Sequence, residues 1–111
     1  MLTIVELPEY LRQAEKLLGE QDRVSICTTL AKVPTSGVLI AGTGGIRKMR
    51  WARPGMGKSG GVRVIYYFHD WNMPLFLLTL FPKSEKSDLS AAQRNALADL
   101  ARLLRSKYTG K

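Results

Sequence analysis

The sequence predicts an α+β fold: an antiparallel sheet preceded by two helices and followed by one. Three observations carry that expectation. Apolar residues recur at helical spacing over residues 7–18 and again over 97–104. Between them lie three β-rich runs, at 46–52, 62–68 and 75–81. Their connections are too short for a crossover helix, so neighbouring strands run antiparallel. With 111 residues the chain can bury one proper core but not two, and a single domain over residues 1–111 is expected.

Each element has its own signal. Residues 2–6 are β-branched in character and form a short first strand. Pro8 opens a helix with Leu7, Leu11, Ala14 and Leu18 on one face, ended by Gly19. Asp22 caps a second helix that turns Val24, Cys27, Leu30 and Ala31 inward and stops at Pro34. Residues 38–41 form either a short strand or an extended connection, and Gly42-Thr43-Gly44-Gly45 is a turn. Over residues 46–52, alternation puts Lys48 and Arg50 on one face and Met49 and Trp51 on the other. Over 62–68, Val62, Val64, Tyr66 and Phe68 share one face, and Arg63, Ile65 and Tyr67 share the other. The run 75–81 is almost continuously apolar, as a central strand requires. Ser90 with Gln93 forms a capping box for the last helix, which buries Leu97, Leu100, Ala101 and Leu104. Arg94, Arg102, Arg105 and Lys107 decorate that helix as a solvated face.

Charge points to function. The net charge is +8 and the pI about 10.0, but the distribution says more. Between Asp22 and Asp70 there are eight bases and no acid, and six of the eight fall from Arg47 to Arg63. These six are Arg47, Lys48, Arg50, Arg53, Lys58 and Arg63. A carboxylate-free stretch with strand character reads as a sheet surface built to hold the phosphates of a polyanion. Tyr67 is the one aromatic in phase with Arg63 and so a candidate for base contact.

Other chemistries find little support. A lone cysteine, Cys27, permits no intrachain disulfide and reads as a small buried residue. There is neither a signal-peptide pattern nor an apolar run of membrane-spanning length, so a cytoplasmic protein without a membrane partner is expected. Residues 52–59 resemble a loosened phosphate-loop pattern, but a strand rather than a helix follows it. That segment reads as a hairpin loop from which Lys58 touches a backbone phosphate. His69 is the only histidine, and no acids surround the basic cluster, so neither metal nor cofactor is expected. Asp70, Glu85 and Asp88 read as loop acids with turn and capping roles.

Topology sharpens the basic cluster into a candidate site. In a meander, the start of the 62–68 strand and the end of the 75–81 strand lie at the same end of the sheet. Arg63 and Lys83 then become neighbours, flanked by Lys48 and Arg50. Four cations around one phosphate-sized space suit a pentavalent phosphorane, whose developing charge they stabilise.

Several segments carry a resemblance to a known family. They are Gly42-Thr43-Gly44-Gly45-Ile46-Arg47-Lys48-Met49-Arg50-Trp51-Ala52, Gly60-Gly61-Val62-Arg63-Val64-Ile65-Tyr66-Tyr67, Leu78-Thr79-Leu80-Phe81-Pro82-Lys83-Ser84-Glu85-Lys86 and Asp88-Leu89-Ser90. With the element order, they resemble bacterial type II toxins of the RelE/HigB family. The resemblance implies a small microbial-ribonuclease-like domain and a metal-free mRNA endonuclease that works on the ribosome, with the RNA 2′-OH as internal nucleophile. It matches Lys48, Arg50, Arg63 and Lys83 to the family's catalytic basic positions, and places Lys86 in a loop that carries a further functional side chain in other members. A cognate antitoxin, with a helix-turn-helix and encoded alongside, is the implied protein partner, besides mRNA and the ribosome. Which group serves as base and which as acid stays open. Two other functions compete: a toxin of this fold that binds a protein target such as DNA gyrase, and a non-catalytic RNA-binding module.

Overall fold

The computed structural model describes residues 2–53, 60–86 and 88–110. The elements are β1 (Ile4–Glu6), α1 (Pro8–Leu17), α2 (Glu20–Lys32), β2 (Val38–Leu39), β3 (Ile46–Trp51), β4 (Val62–Tyr67), β5 (Leu75–Pro82) and α3 (Ala91–Thr109). They form one five-stranded sheet in the order β1-β5-β4-β3-β2. From β2 to β5 each strand pairs antiparallel with the next, the expected meander. β1 adds to the far edge parallel to β5, Ile4 opposite Leu75 and Glu6 opposite Leu77, so the sheet is mixed at that one edge. The parallel pairing follows from the route of the chain. After β1, α1 and α2 carry it across one face to the opposite edge, and the meander brings β5 back beside β1.

Two apolar layers hold the sheet. On one face Tyr10, Ala14 and Leu18 from the α1 segment, and Ile26 and Leu30 of α2, pack on Met49, Val62, Val64, Tyr66, Leu75, Leu77 and Leu80. On the other, Ala101 with Leu97, Leu100 and Leu104 of α3 packs on Ile46, Ile65, Tyr67, Phe76, Leu78 and Phe81. Full burial of each such side chain contributes roughly 1.5–3 kcal/mol. β4 is covered on both faces and paired on both edges, and all six of its residues are buried.

Local chemistry explains where the elements begin and bend. α2 starts at Glu20 with Gly19 as its N-cap, three residues before the expected cap at Asp22. Glu20 and Asp22 sit in its first turn, where the helix dipole favours acids. Asp22 instead accepts a hydrogen bond from Trp51 Nε1 at 3.3 Å. Val24, expected inside, is exposed, because the buried stripe runs through Ile26, Leu30 and Ala31. Tyr10 and Ala14 are the buried residues of α1. In β5 a bulge puts Ile65 opposite Thr79 but Tyr66 opposite Leu77. It resets the alternation, so Phe76 and Phe81 both face α3 despite their odd spacing. The Ser90–Gln93 capping box forms as expected, Gln93 N donating to Ser90 Oγ at 3.1 Å and Ser90 N to Gln93 Oε1 at 3.0 Å.

A buried phenol ties β2 to the sheet. Tyr66 donates to Pro34 O at 2.7 Å and accepts from Gly37 N at 2.8 Å. Burial pushes that phenol up from its ordinary range, so it remains a donor. Among the described residues no helix is long and apolar enough to cross a membrane.

Candidate nucleic-acid interface

Register, rather than chain proximity, assembles the cationic site. Arg50 of β3 lies opposite Arg63 of β4, and Arg63 lies opposite Phe81 of β5. That row crosses the α3-side face near one end of the sheet, with Lys48 two residues back on the same face of β3. Lys48, Arg50 and Arg63, with Ser36, Val38 and Met49, line a groove of about 530 Å³. β2 forms its outer wall, leaving Val38 and Leu39 exposed at the sheet edge.

The electrostatics of the three cations differ. Arg63 is only 7% exposed, and among the described residues neither it nor Arg50 has a carboxylate partner within ion-pair distance. Guanidiniums that line a groove without a counter-ion attract an anionic ligand. Lys48 is paired: its Nζ donates to Asp88 Oδ2 at 3.1 Å. Asp88 Oδ1 accepts from Leu89 N at 2.8 Å. That backbone bond first, and then Lys48, hold the Asp88 carboxyl below its usual range. Sequence reasoning gave Asp88 an ordinary loop role. Its position just before the Leu89-Ser90 cap is the one signal that fixes it in space.

The remaining expected site residues scatter. Lys83 is exposed beyond β5, and its backbone N donates to Gly61 O at 2.9 Å, which sets it beside the start of β4 but outside the groove lining. Lys86 lies with its Nζ 4.9 Å from the centre of the Phe81 ring and donates to Gln93 Oε1 at 3.1 Å. Three residues expected to contact RNA lie outside the groove. Arg47 points to the α2 side of the sheet, where Nη1 donates to Gly37 O at 2.8 Å, because its neighbours Lys48 and Ile46 take the other face. Arg53 is spent on backbone carbonyls, those of Gly60 and, at 3.3 Å, Leu17. Tyr67 is fully buried under α3, its hydroxyl accepting from Arg105 Nη1 at 3.3 Å, and has no face for a base to stack on. Lys58 lies outside the described residues.

Other reactive groups sit away from the groove. His69 follows the opposite end of β4, with Nε2 3.6 Å from Asp70. Burial pushes the Cys27 thiol up, which disfavours the reactive thiolate. Among the described residues no three of His, Cys, Asp and Glu converge as a metal site. A second hollow, of about 320 Å³, lies beside Glu6, Glu20, Arg23 and Cys27. There Arg23 already pairs with Glu6 at 3.2 Å, so it offers no cationic surplus for a phosphate.

Two comparisons bear on this arrangement. Residues 15–109 match the family model described as RelE toxin of the RelE / RelB toxin-antitoxin system. Among solved structures, that of a free-state mutant of the E. coli toxin RelE, with two arginines changed to alanine, aligns with a TM-score of 0.58. It is 18% identical, the alignment covering 93% of this chain and 98% of that one, a likeness of fold.

Proposed function

This chain belongs to the RelE family of toxins from toxin-antitoxin systems, and on that premise we propose that it is a metal-independent mRNA endonuclease acting on the ribosome in the cytoplasm. The observation that carries the reading is the Arg50–Arg63 cross-strand pair, two guanidiniums without carboxylate partners among the described residues, aimed into one groove. In the proposed reaction the RNA 2′-hydroxyl gives up its proton as its oxygen attacks the adjacent phosphorus, forming a 2′-O–P bond. The phosphorane gathers negative charge on its equatorial oxygens, where Arg50 and Arg63 donate to it. The P–O5′ bond then breaks, the 5′-oxygen takes a proton, and the upstream fragment keeps a 2′,3′-cyclic phosphate. Lys48 lies within reach of the same phosphate as the group suited to proton movement. Lys83, Lys86 and Lys58 are proposed as backbone contacts along the strand of RNA. Cations converging on one groove without carboxylate partners among the described residues favour phosphate chemistry over a surface that only grips a protein target.

The experiment is product analysis by mass spectrometry, with purified protein and a substrate cleaved in excess EDTA. Fragments ending in 2′,3′-cyclic or 3′-phosphate, with 5′-hydroxyl downstream, are expected. Loss of cleavage in EDTA on a magnesium-independent substrate, or 5′-phosphate ends, counts against the mechanism.

We infer further that the cognate antitoxin, a helix-turn-helix protein encoded alongside, neutralises this chain by laying an acidic or apolar segment over the groove. A +8 chain attracts such a segment at long range, so association should slow as salt rises while dissociation changes little. Stopped-flow binding across a salt series measures this. Hydrogen exchange showing no protection over β3 and the start of β4 would exclude direct masking.

A further inference from the structure

A carboxylate from outside the cationic groove pairs with one of the cations that line it. Asp88 lies two residues before Ser90, the N-cap of α3. Leu89 between them is buried in the α3-side core, so the backbone on which Asp88 sits cannot drift. Its Oδ1 accepts from Leu89 N at 2.8 Å, and its Oδ2 takes Lys48 Nζ at 3.1 Å across forty positions of sequence. Both oxygens are therefore committed, one to the lead-in of a capped helix and one to the lysine.

Substrate binding does not account for this carboxylate, and stability does so only in part, through its bond to Leu89 N ahead of α3. The pair is 30% and 45% exposed, and ion pairs that wet contribute little to folding. Nor is it a phosphate ligand, since it adds negative charge next to a cation of the groove. What the pair does accomplish is geometric. A lysine ammonium on a four-carbon stem explores many positions, and Asp88 selects one of them. Lys48 and Arg50 lie two residues apart on one strand face, about 7 Å. Lys48 thus shares with Arg50 and Arg63 the groove in which a phosphate would be held.

We propose that Asp88 is a positioning residue for Lys48, tethering its ammonium to α3 so that it meets the reacting phosphate in one orientation. This rests on the endonuclease reading, and it adds a division of labour within that site. The arginines stand without carboxylates among the described residues and hold the phosphate and its developing charge, while the lysine is oriented by a carboxylate. Binding is thereby traded for rate, because misplacement of a reacting group by about an ångström can cost on the order of a hundredfold.

The test is a cycle of variants, Asp88→Asn, Asp88→Glu, Lys48→Met and the Asp88→Asn/Lys48→Met double, assayed for single-turnover cleavage of mRNA on programmed ribosomes. Asp88→Asn keeps an acceptor for Leu89 N, so the melting temperature should hold. Its cleavage rate should fall roughly tenfold to a hundredfold. Its affinity for an RNA oligonucleotide blocked by 2′-deoxy substitution should stay equal or rise, since a repelling charge is gone. Asp88→Glu should recover part of the rate, and the double variant should be no slower than Lys48→Met alone. Wild-type or faster cleavage by Asp88→Asn overturns the proposal, as does a loss that multiplies with that of Lys48→Met. If instead Lys48→Met and Arg63→Ala both cleave like wild type, the endonuclease site itself is misassigned.

Discussion

Arg63→Ala is expected to abolish growth arrest when the chain is produced in cells, and to slow RNA cleavage by on the order of a hundred- to a thousandfold. Arg63 sits at the middle of the row Arg50–Arg63–Phe81, on the strand most deeply enclosed by the sheet. Its backbone is held by ladders on both sides, so the guanidinium is placed before substrate arrives and loses little freedom on binding. A donor so placed stabilises charge that develops only in the transition state, which is where a rate effect originates. The fold should survive, because among the described residues no ion pair is broken by the change. Arg63→Met, which keeps the apolar stem, serves as the control for packing. Circular dichroism and thermal melting check folding; growth curves and single-turnover cleavage check activity. A folded Arg63→Ala chain as toxic as the wild type would remove Arg63 from the chemistry.

Gly37→Ala should be the most damaging small substitution outside the groove, costing about 1–3 kcal/mol by overpacking and lowering activity with it. A Cβ at Gly37 would stand 2.8 Å from Tyr66 Cε1 and 2.9 Å from both Lys48 O and Tyr66 Oη. None of these can yield cheaply: one is strand backbone, and the ring is buried and hydrogen-bonded at its tip. The alternative is for β2 to move away from β3. Ser36 and Val38, on either side of Gly37, line the groove, so that movement would also open the wall beside Lys48. Tyr66→Phe is the companion variant. It leaves the buried Pro34 C=O and Gly37 N–H without their partner, a cost of about 1–3 kcal/mol, yet introduces no clash. Urea denaturation of both variants measures the effect, and a Gly37→Ala midpoint equal to wild type would show that β2 adjusts freely.

Much of this architecture was legible because its signals are local. The alternation from Ile46 to Trp51 put Lys48 and Arg50 on one face, and the short connections made β3, β4 and β5 a meander with Arg63 beside Arg50. The Ser90–Gln93 capping box marked the start of α3 to the residue. Where reasoning from the chain failed, the deciding partner was distant in sequence. Asp22 was free to cap α2 until Trp51 claimed its carboxylate. Arg47 and Arg53 looked like members of the cationic patch, but face parity and nearby backbone carbonyls assign them to the scaffold. Tyr67 shares a face with Arg63, yet α3 covers the tyrosine while Arg63 lines the groove. Which residues a helix covers depends on where it docks.

By itself, then, the sequence determined the charge of this protein, its α+β class, and the strand face that carries Lys48, Arg50 and Arg63. Those properties follow from composition and from a period of two, which every short segment displays on its own. The tertiary structure alone decided which cations stay unpaired and which one is tethered. An ion pair such as Lys48–Asp88 forms between residues forty positions apart, and only the docking of α3 on the sheet brings them within 3.1 Å.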